Sequence, residues 1–351
     1  MDSSARERLL ATALWTLIAF AVGYLLVAAQ ALIIPFIVAI FVWYLLNALA
    51  ISFGSISVAG VQAPRWLQFV LAGLALLVAT NLVIGIIAAS VGELIDAAPI
   101  YQENLRSLIE RLQQRFGWAG QPGASQLLGE FDLGRLIRRI AAGFGSLIGN
   151  LGLIAVYLLF LFLEQRYFGA KLAAVLRTEE RQHRARRLLL ELDRDVRTYL
   201  GVKTLVSALT SLASWALMHW VGLDFAAFWA LLIFVLNFIP NVGSLVATAL
   251  PTLLALLQFA SLAPFLILLF GIGSIQMLVG NVLEPQIMGR SLNMSPLVII
   301  LSLVMWGFMW GIAGMFLALP ITMIAMMIFY NFENTRWIAL LMSRDGQLRK
   351  G

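Results

Sequence analysis

The chain has 351 residues, 61% of them hydrophobic and only 12% charged, with a net charge of +6 and no cysteine. Soluble domains carry about 25% charged residues. Here no Asp, Glu, Lys or Arg occurs from Phe225 to Leu283 or from Ser291 to Phe332, and each stretch exceeds the ~20 apolar residues that cross a bilayer once. A soluble globular domain is thereby excluded. Disulfides, thiol catalysis and cysteine metal sites are excluded too. His183 and His219 are too few for a zinc site of the usual kind, so no cofactor or metal is expected.

In chain order, the first span runs from Leu9 to Ala29. It is too long and uninterrupted for a cleaved signal peptide, so the expectation is a retained helix. Ala31–Ser52 is the second span, with Pro35 early in it, and Trp66–Val91 the third. Gly92–Ala142 then carries six Arg and six acidic residues. Tyr101, Leu105, Leu108, Leu112 and Phe116 recur there at helical spacing. A Gly/Pro-rich break follows at Gly117–Ser125, and Leu127, Leu128, Phe131, Leu136, Ile137 and Ile140 form a second apolar face. This segment reads as a small helical cap outside the membrane. Phe144–Leu163 is the fourth span, with Gly145, Gly149 and Gly152 at a spacing that lets helices approach, expected to pack within the protomer.

Glu164–Lys203 is a basic linker holding ten Lys/Arg against six acidic residues. Thr204–Val221 is the fifth span. The remaining apolar segments are Phe225–Ile239, Val242–Leu257, Leu262–Leu283, Leu297–Trp310 and Ile312–Tyr330. The fold class is therefore an all-α polytopic membrane protein of about eight transmembrane elements. Its expected organisation is N-terminal transmembrane helices over 1–91, the cap over 92–142, a transmembrane helix at 143–163 and the linker at 164–203. A C-terminal transmembrane core follows over 204–332, then a tail over 333–351. With both termini cytoplasmic, 18 Lys/Arg fall inside and six outside, all six in the cap. That excess is what orients a membrane protein, and it accounts for the arginine cluster of the linker without nucleic acid.

The C-terminal core is where the helices break. Asn237, Pro240, Asn241, Gly243 and Ser244 interrupt Phe225–Leu257. Proline removes a backbone donor and clashes with the preceding turn, and Asn-Val-Gly after it is turn chemistry. The two arms are short for full spans, so this is either a re-entrant hairpin or two tilted short spans. Gly307, Gly311 and Gly314 loosen the last apolar segment in the same way. Ala249-Leu250-Pro251 and Ala318-Leu319-Pro320 follow the two breaks, a rhyme of the kind expected of paired discontinuous helices flanking a substrate site.

Between the breaks lies the stretch Gln276 to Arg290. Gln276, Asn281 and Glu284 fall on adjoining helical faces. Glu284 is the sole carboxylate between Asp224 and Glu333. A carboxylate in a span is costly unless paired or hydrated, and marks a functional candidate. It either serves a proton, cation or polar solute, or forms a local ion pair with Arg290 at the cytoplasmic surface. The tryptophans read mostly as interfacial anchors, with Trp306 and Trp310 also placed to stack on a ligand. Gly201-Val202-Lys203-Thr204 lacks the spacing of a phosphate loop. No Gly-x-Ser-x-Gly elbow accompanies His219 and Asp224. Neither ATP binding nor hydrolase chemistry is expected.

Ile239-Pro240-Asn241-Val242-Gly243-Ser244-Leu245, running on to Pro251, resembles the Pro-x-Val-Gly signature of the autoinducer-2 exporter family. So do Asn281–Pro296, with Glu284-Pro285 and Met288-Gly289-Arg290, and the Gly-rich final span with Leu319-Pro320. The resemblance covers essentially the whole chain and is nearest the quorum-signal exporter branch. It implies export of a small polar furanosyl signal, or in some members monovalent cation/proton antiport, by a homo-pentamer whose protomers each transport. Asn241 stands where the family often has an aromatic residue.

The expected function is thus secondary transport of a small polar molecule across the inner membrane, without enzymatic activity. The expected pathway comprises Asn237, Pro240, Asn241, Gly243, Ser244, Gln276, Asn281, Glu284, Pro285, Arg290, Gly311 and Gly314. Glu284 and the missing ATPase motif point to coupling with an ion gradient. The alternatives are a Na+ or Li+/proton antiporter and a membrane scaffold acting through its cytoplasmic linker.

Overall fold

The computed structural model describes residues 3–54, 57–58, 61–62, 64–116, 145, 149–176, 178–288 and 293–346. In lipid every backbone polar group must find a partner inside the protein, and this chain meets that demand almost wholly with helices. They are α1 (Ser3–Ala28), α2 (Gln30–Gly54), α3 (Arg65–Phe116), α4 (Leu151–Val175), α5 (Glu179–Val221), α6 (Ala226–Leu236), α7 (Val242–Phe259), α8 (Leu262–Leu278), α9 (Glu284–Met288), α10 (Pro296–Asn331) and α11 (Arg336–Met342). A π-helical turn at Val279–Leu283 joins α8 to α9, and β1 (Ser57–Val58) pairs antiparallel with β2 (Val61–Gln62). Among the described residues seven helical stretches are long and apolar enough to cross a membrane. The protein is an all-α polytopic membrane protein, as its sequence predicts.

Most of the expected linker is helical. Its start continues α4, and from Glu179 it is the charged first half of α5. Gln182 makes the short joint between them by donating its side-chain amide to the carbonyls of Leu176 (2.6 Å) and Ala173 (3.1 Å). These are carbonyls that a helix end leaves without partners. Ion pairs one turn apart, Arg184–Glu180 and Arg197–Asp193, brace this half of α5. The first part of the cap is the far end of α3, and the second apolar face at Leu127–Ile140 lies outside the described residues. Gly145, Gly149 and Gly152 do not pack as expected, since a Cβ on any of them meets no described atom within 4 Å.

The chain forms two compact units, one of residues 1–43, 151–188 and 293–351, the other of residues 44–150 and 189–292. In the first, Phe36 meets Tyr157 edge to face at 5.4 Å between ring centroids, and Phe41 meets Phe316 at 6.0 Å. Trp310 is buried and donates its indole N–H to the Leu26 carbonyl at 3.0 Å, which makes it a packing residue. The α11 end is tied back through Ser295 N–H to Met342 O at 2.9 Å and Asn293 Nδ2 to Asp345 Oδ1 at 2.7 Å. In the second unit, Met218, Phe228, Ile233, Ala255, Leu268 and Ile272 bury completely against one another, with Leu94 and Tyr101 of α3 closing one side.

Both breaks are helical hairpins. At the first, α6 and α7 run antiparallel, since Gln258 near the end of α7 reaches back to the start of α6. Its amide donates to Gly222 O at 2.9 Å, and its oxygen accepts from Asp224 N–H at 2.8 Å. Tyr101 then donates to Asp224 Oδ2 at 2.8 Å and clips this base to α3. At the second break, α10 bends back on itself at Gly311 (φ 62°, ψ −140°). Trp306 Nε1 lies 3.3 Å from Thr322 Oγ1, whereas a straight helix would hold residues so far apart in sequence about 24 Å from each other.

Candidate functional site

The tip of the first hairpin is built around a tight turn. Val242 N–H donates to Pro240 O at 2.6 Å across Asn241, whose φ of 58° and ψ of −57° are those of a γ-turn of the rare, strained kind. Asparagine is among the few non-glycine residues that tolerate positive φ, which explains Asn rather than an aromatic side chain at this position. Gly243 follows because nothing larger fits there. A Cβ on it would lie 1.8 Å from the carbonyl oxygen of Leu236. Asn237 is buried beside the turn, Ser244 and Pro240 are half-buried, and Asn241 is exposed. The 11-residue arm α6 spans about 16 Å, roughly half of the ~30 Å hydrocarbon layer. It cannot cross alone.

Only Ala260 and Ser261 separate α7 from α8, and the two helices pack along each other. The start of α7 therefore lies level with the end of α8, which brings Gly243 and Ser244 to the height of Gln276. Gln276 is buried, and its Nε2 has no hydrogen-bond partner.

On its other side α8 runs antiparallel to α5. Leu217 of α5 lies against Gly271, where a Cβ would come within 2.3 Å of Leu217 Cδ2. Further along, Lys203 Nζ meets Glu284 Oε1 at 2.6 Å, with 7% and 20% of the two side chains exposed. Over this stretch and the two turns before Lys203, α5 presents a ladder of buried polar side chains. Asp195, Tyr199, Lys203, Ser207 and Ser211 follow at every fourth residue, with Thr210 and Ser214 beside them. Thr210 and Ser211 return their hydroxyls to their own helix. The hydroxyls of Tyr199, Ser207 and Ser214 are buried without a partner. A buried polar group without a partner costs about 1–3 kcal/mol, so four such atoms along one pair of helices mark a surface that water or a solute completes.

One unit holds the Asn237–Ser244 turn, Gln276 and Glu284, with Glu284 about two helical turns beyond Gln276. Asn281 and Pro285 are exposed on either side of Glu284, and Arg290 lies outside the described residues. Gly311 and Gly314 belong to the other unit and form a turn of the same construction. A Cβ on Gly314 would lie 1.8 Å from Trp306 O, the same distance that separates a Cβ on Gly243 from Leu236 O. Lys203 and the α5 ladder escaped the sequence reading. The signal was present in the fourfold spacing from Asp195 to Ser211, but Lys203 stood at the end of a basic run and was read with it. Among the described residues no group of three His, Cys, Asp or Glu side chains forms a metal site.

Residues 10–334 match the family described as AI-2E family transporter. The chain is 29% identical to the AI-2 transport protein TqsA of Escherichia coli over 319 residues, 90% of each chain. It is 29% identical to the putative transport protein YhhT of the same organism over 303 residues, 84% of this chain and 83% of the relative. A putative transport protein of Haemophilus influenzae is 28% identical over 90% of each chain.

Proposed function

The chain belongs to the AI-2E transporter family, and from that premise we propose that it is a secondary transporter exporting a small polar molecule, autoinducer-2 or a metabolite like it, across the bacterial inner membrane. The observation that carries this reading is the presence, in one unit, of the strained Pro240–Gly243 turn and of the buried Gln276 Nε2 without a partner, on helices α7 and α8 that pack along each other. Non-helical backbone at membrane depth persists only where protein or water satisfies it. A turn of that kind beside free donors and acceptors offers a polar solute hydrogen bonds in place of its hydration shell. Asn237, Ser244 and Gln276 contact the solute in this reading, and Pro240, Asn241 and Gly243 shape the turn. The name of one relative, an AI-2 transport protein, supports a furanosyl solute. The distribution of Lys and Arg supports a reading with both termini in the cytoplasm, and the resemblance suggests a homo-pentamer.

The test is uptake of autoinducer-2 into inside-out membrane vesicles carrying the protein. Accumulation above that of vesicles without it is the expected result, and Gln276→Leu reduces it. Sodium-dependent proton flux with no autoinducer-2 accumulation would overturn the reading in favour of cation/proton antiport.

A further inference from the structure

Lys203, on the helix that also buries Asp195 two turns before it, forms an ion pair with Glu284, and the groups around the pair are arranged asymmetrically. Glu284 has one charged partner among the described residues, the Lys203 ammonium at 2.6 Å. Among the described residues, the titratable groups that face it are Lys203 and Tyr199, both from α5. Lys203 has more choices. Tyr199 lies one helical turn before it and Ser207 one turn after it, on the same face of α5. Both hydroxyl oxygens are buried and accept from nothing. Tyr199 is 1% exposed and Ser207 fully buried.

A buried ion pair is poised between large opposing terms. Removing one charge strands the other in the interior unless another partner receives it. Here the partner exists for the cation. An ammonium has three donors and no acceptor, and hydroxyl oxygens accept. The carboxylate has no comparable second donor among the described residues.

Resting on the transporter reading above, we infer that the Lys203–Glu284 pair is the coupling element, opened by a proton. Glu284 takes a proton from the aqueous side to which the site is open, and its carboxylate becomes a neutral carboxyl. Lys203 keeps its charge and shifts its hydrogen bonds to Tyr199 Oη and Ser207 Oγ. Release of the proton to the opposite side restores the pair. Solute leaves in one direction as the proton enters in the other, so neither redox chemistry nor ATP is needed. The π-helical turn at Val279–Leu283, immediately before Glu284, places a locally widened backbone where the carboxyl changes partners. Such turns are frequent at functional sites.

The experiment measures autoinducer-2 uptake into proteoliposomes with an acidic lumen and with no gradient, and reads the ratio of the two. With one-for-one coupling, one pH unit gives the wild-type protein a ratio of about ten. Glu284→Gln is expected to bring the ratio to unity whatever its absolute rate. Glu284→Asp keeps a reduced ratio, and the double variant Tyr199→Phe/Ser207→Ala lowers it without removing it. Infrared difference spectra of the purified protein between alkaline and acid pH are recorded in parallel. A protonated-carboxyl band that disappears in Glu284→Gln is expected.

A wild-type ratio of unity, a Glu284→Gln ratio equal to the wild-type one, or no Glu284-dependent band overturns the inference. Absence of any autoinducer-2 uptake, with the Glu284 band present, would instead overturn the assigned solute and leave the proton site supported.

Discussion

Gly243 lies directly under the carbonyl oxygen of Leu236, at a distance that leaves no room for a Cβ. Gly314 stands in the same relation to Trp306 O. The two hairpins thus close by the same steric device, backbone against backbone, where neither side can yield as a flexible side chain would. Gly243→Ala and Gly314→Ala should each destabilise the protein by at least the ~1–3 kcal/mol of ordinary overpacking. Gly273→Ala, whose Cβ meets nothing within 4 Å, is the control. Thermal unfolding in detergent checks this, and equal transitions for Gly243→Ala and Gly273→Ala would contradict it.

Asn241 holds a conformation that costs of order 1–3 kcal/mol for an ordinary residue. Replacement by glycine removes the strain, while a β-branched residue raises it. The expected order of stability is Asn241→Gly at or above wild type, and wild type above Asn241→Val. Chemical denaturation followed by tryptophan fluorescence reads the order, and a Val variant as stable as wild type would refute the γ-turn.

Gln258 satisfies one donor and one acceptor at the base of the first hairpin. Gln258→Glu keeps the acceptor for Asp224 N–H but loses the donor and sets a carboxylate against Gly222 O. The cost of the broken bond is about 1–3 kcal/mol. Hydrogen exchange at the Asp224 amide is expected to stay slow in Gln258→Glu and to accelerate in Gln258→Leu. Equal exchange in the two variants would show that this side chain does not tie the base.

Lys203→Met should lower stability by up to about 3–5 kcal/mol, because it strands the Glu284 carboxylate, and Glu284→Gln should cost less, because Tyr199 and Ser207 receive the ammonium. The double variant should recover most of that loss. Melting temperatures of the three proteins give the coupling directly. Additive losses would mean that the two side chains do not interact in the folded protein.

Much of this architecture could be read before the fold was known, because bilayer physics writes itself in long uncharged runs. The proline-glycine interruption at Pro240–Gly243 and the glycines at 307, 311 and 314 marked both breaks, and left open whether each was a hairpin or a pair of short spans. The Lys203–Glu284 pair was not legible in the same way. Its members stand 81 positions apart, and only the antiparallel run of α5 beside α8 brings them together. The alternative of a local ion pair with Arg290 lies outside the described residues. Gln258 was invisible for a similar reason, since a single glutamine in an apolar run carries no period. Trp310 looked like an interfacial anchor or ligand platform until its indole was found on the Leu26 carbonyl.

That last bond has a mechanical meaning. Leu26 sits in the final turn of α1, where the chain bends at Ala29 before α2 begins, and carbonyls there lack helical partners. Trp310, which supplies the missing donor, is the residue immediately before the Gly311 bend. The α1–α2 elbow and the Gly311 bend are therefore geared together. Any swing about Gly311 must drag the α1–α2 elbow with it or leave a naked carbonyl in oil.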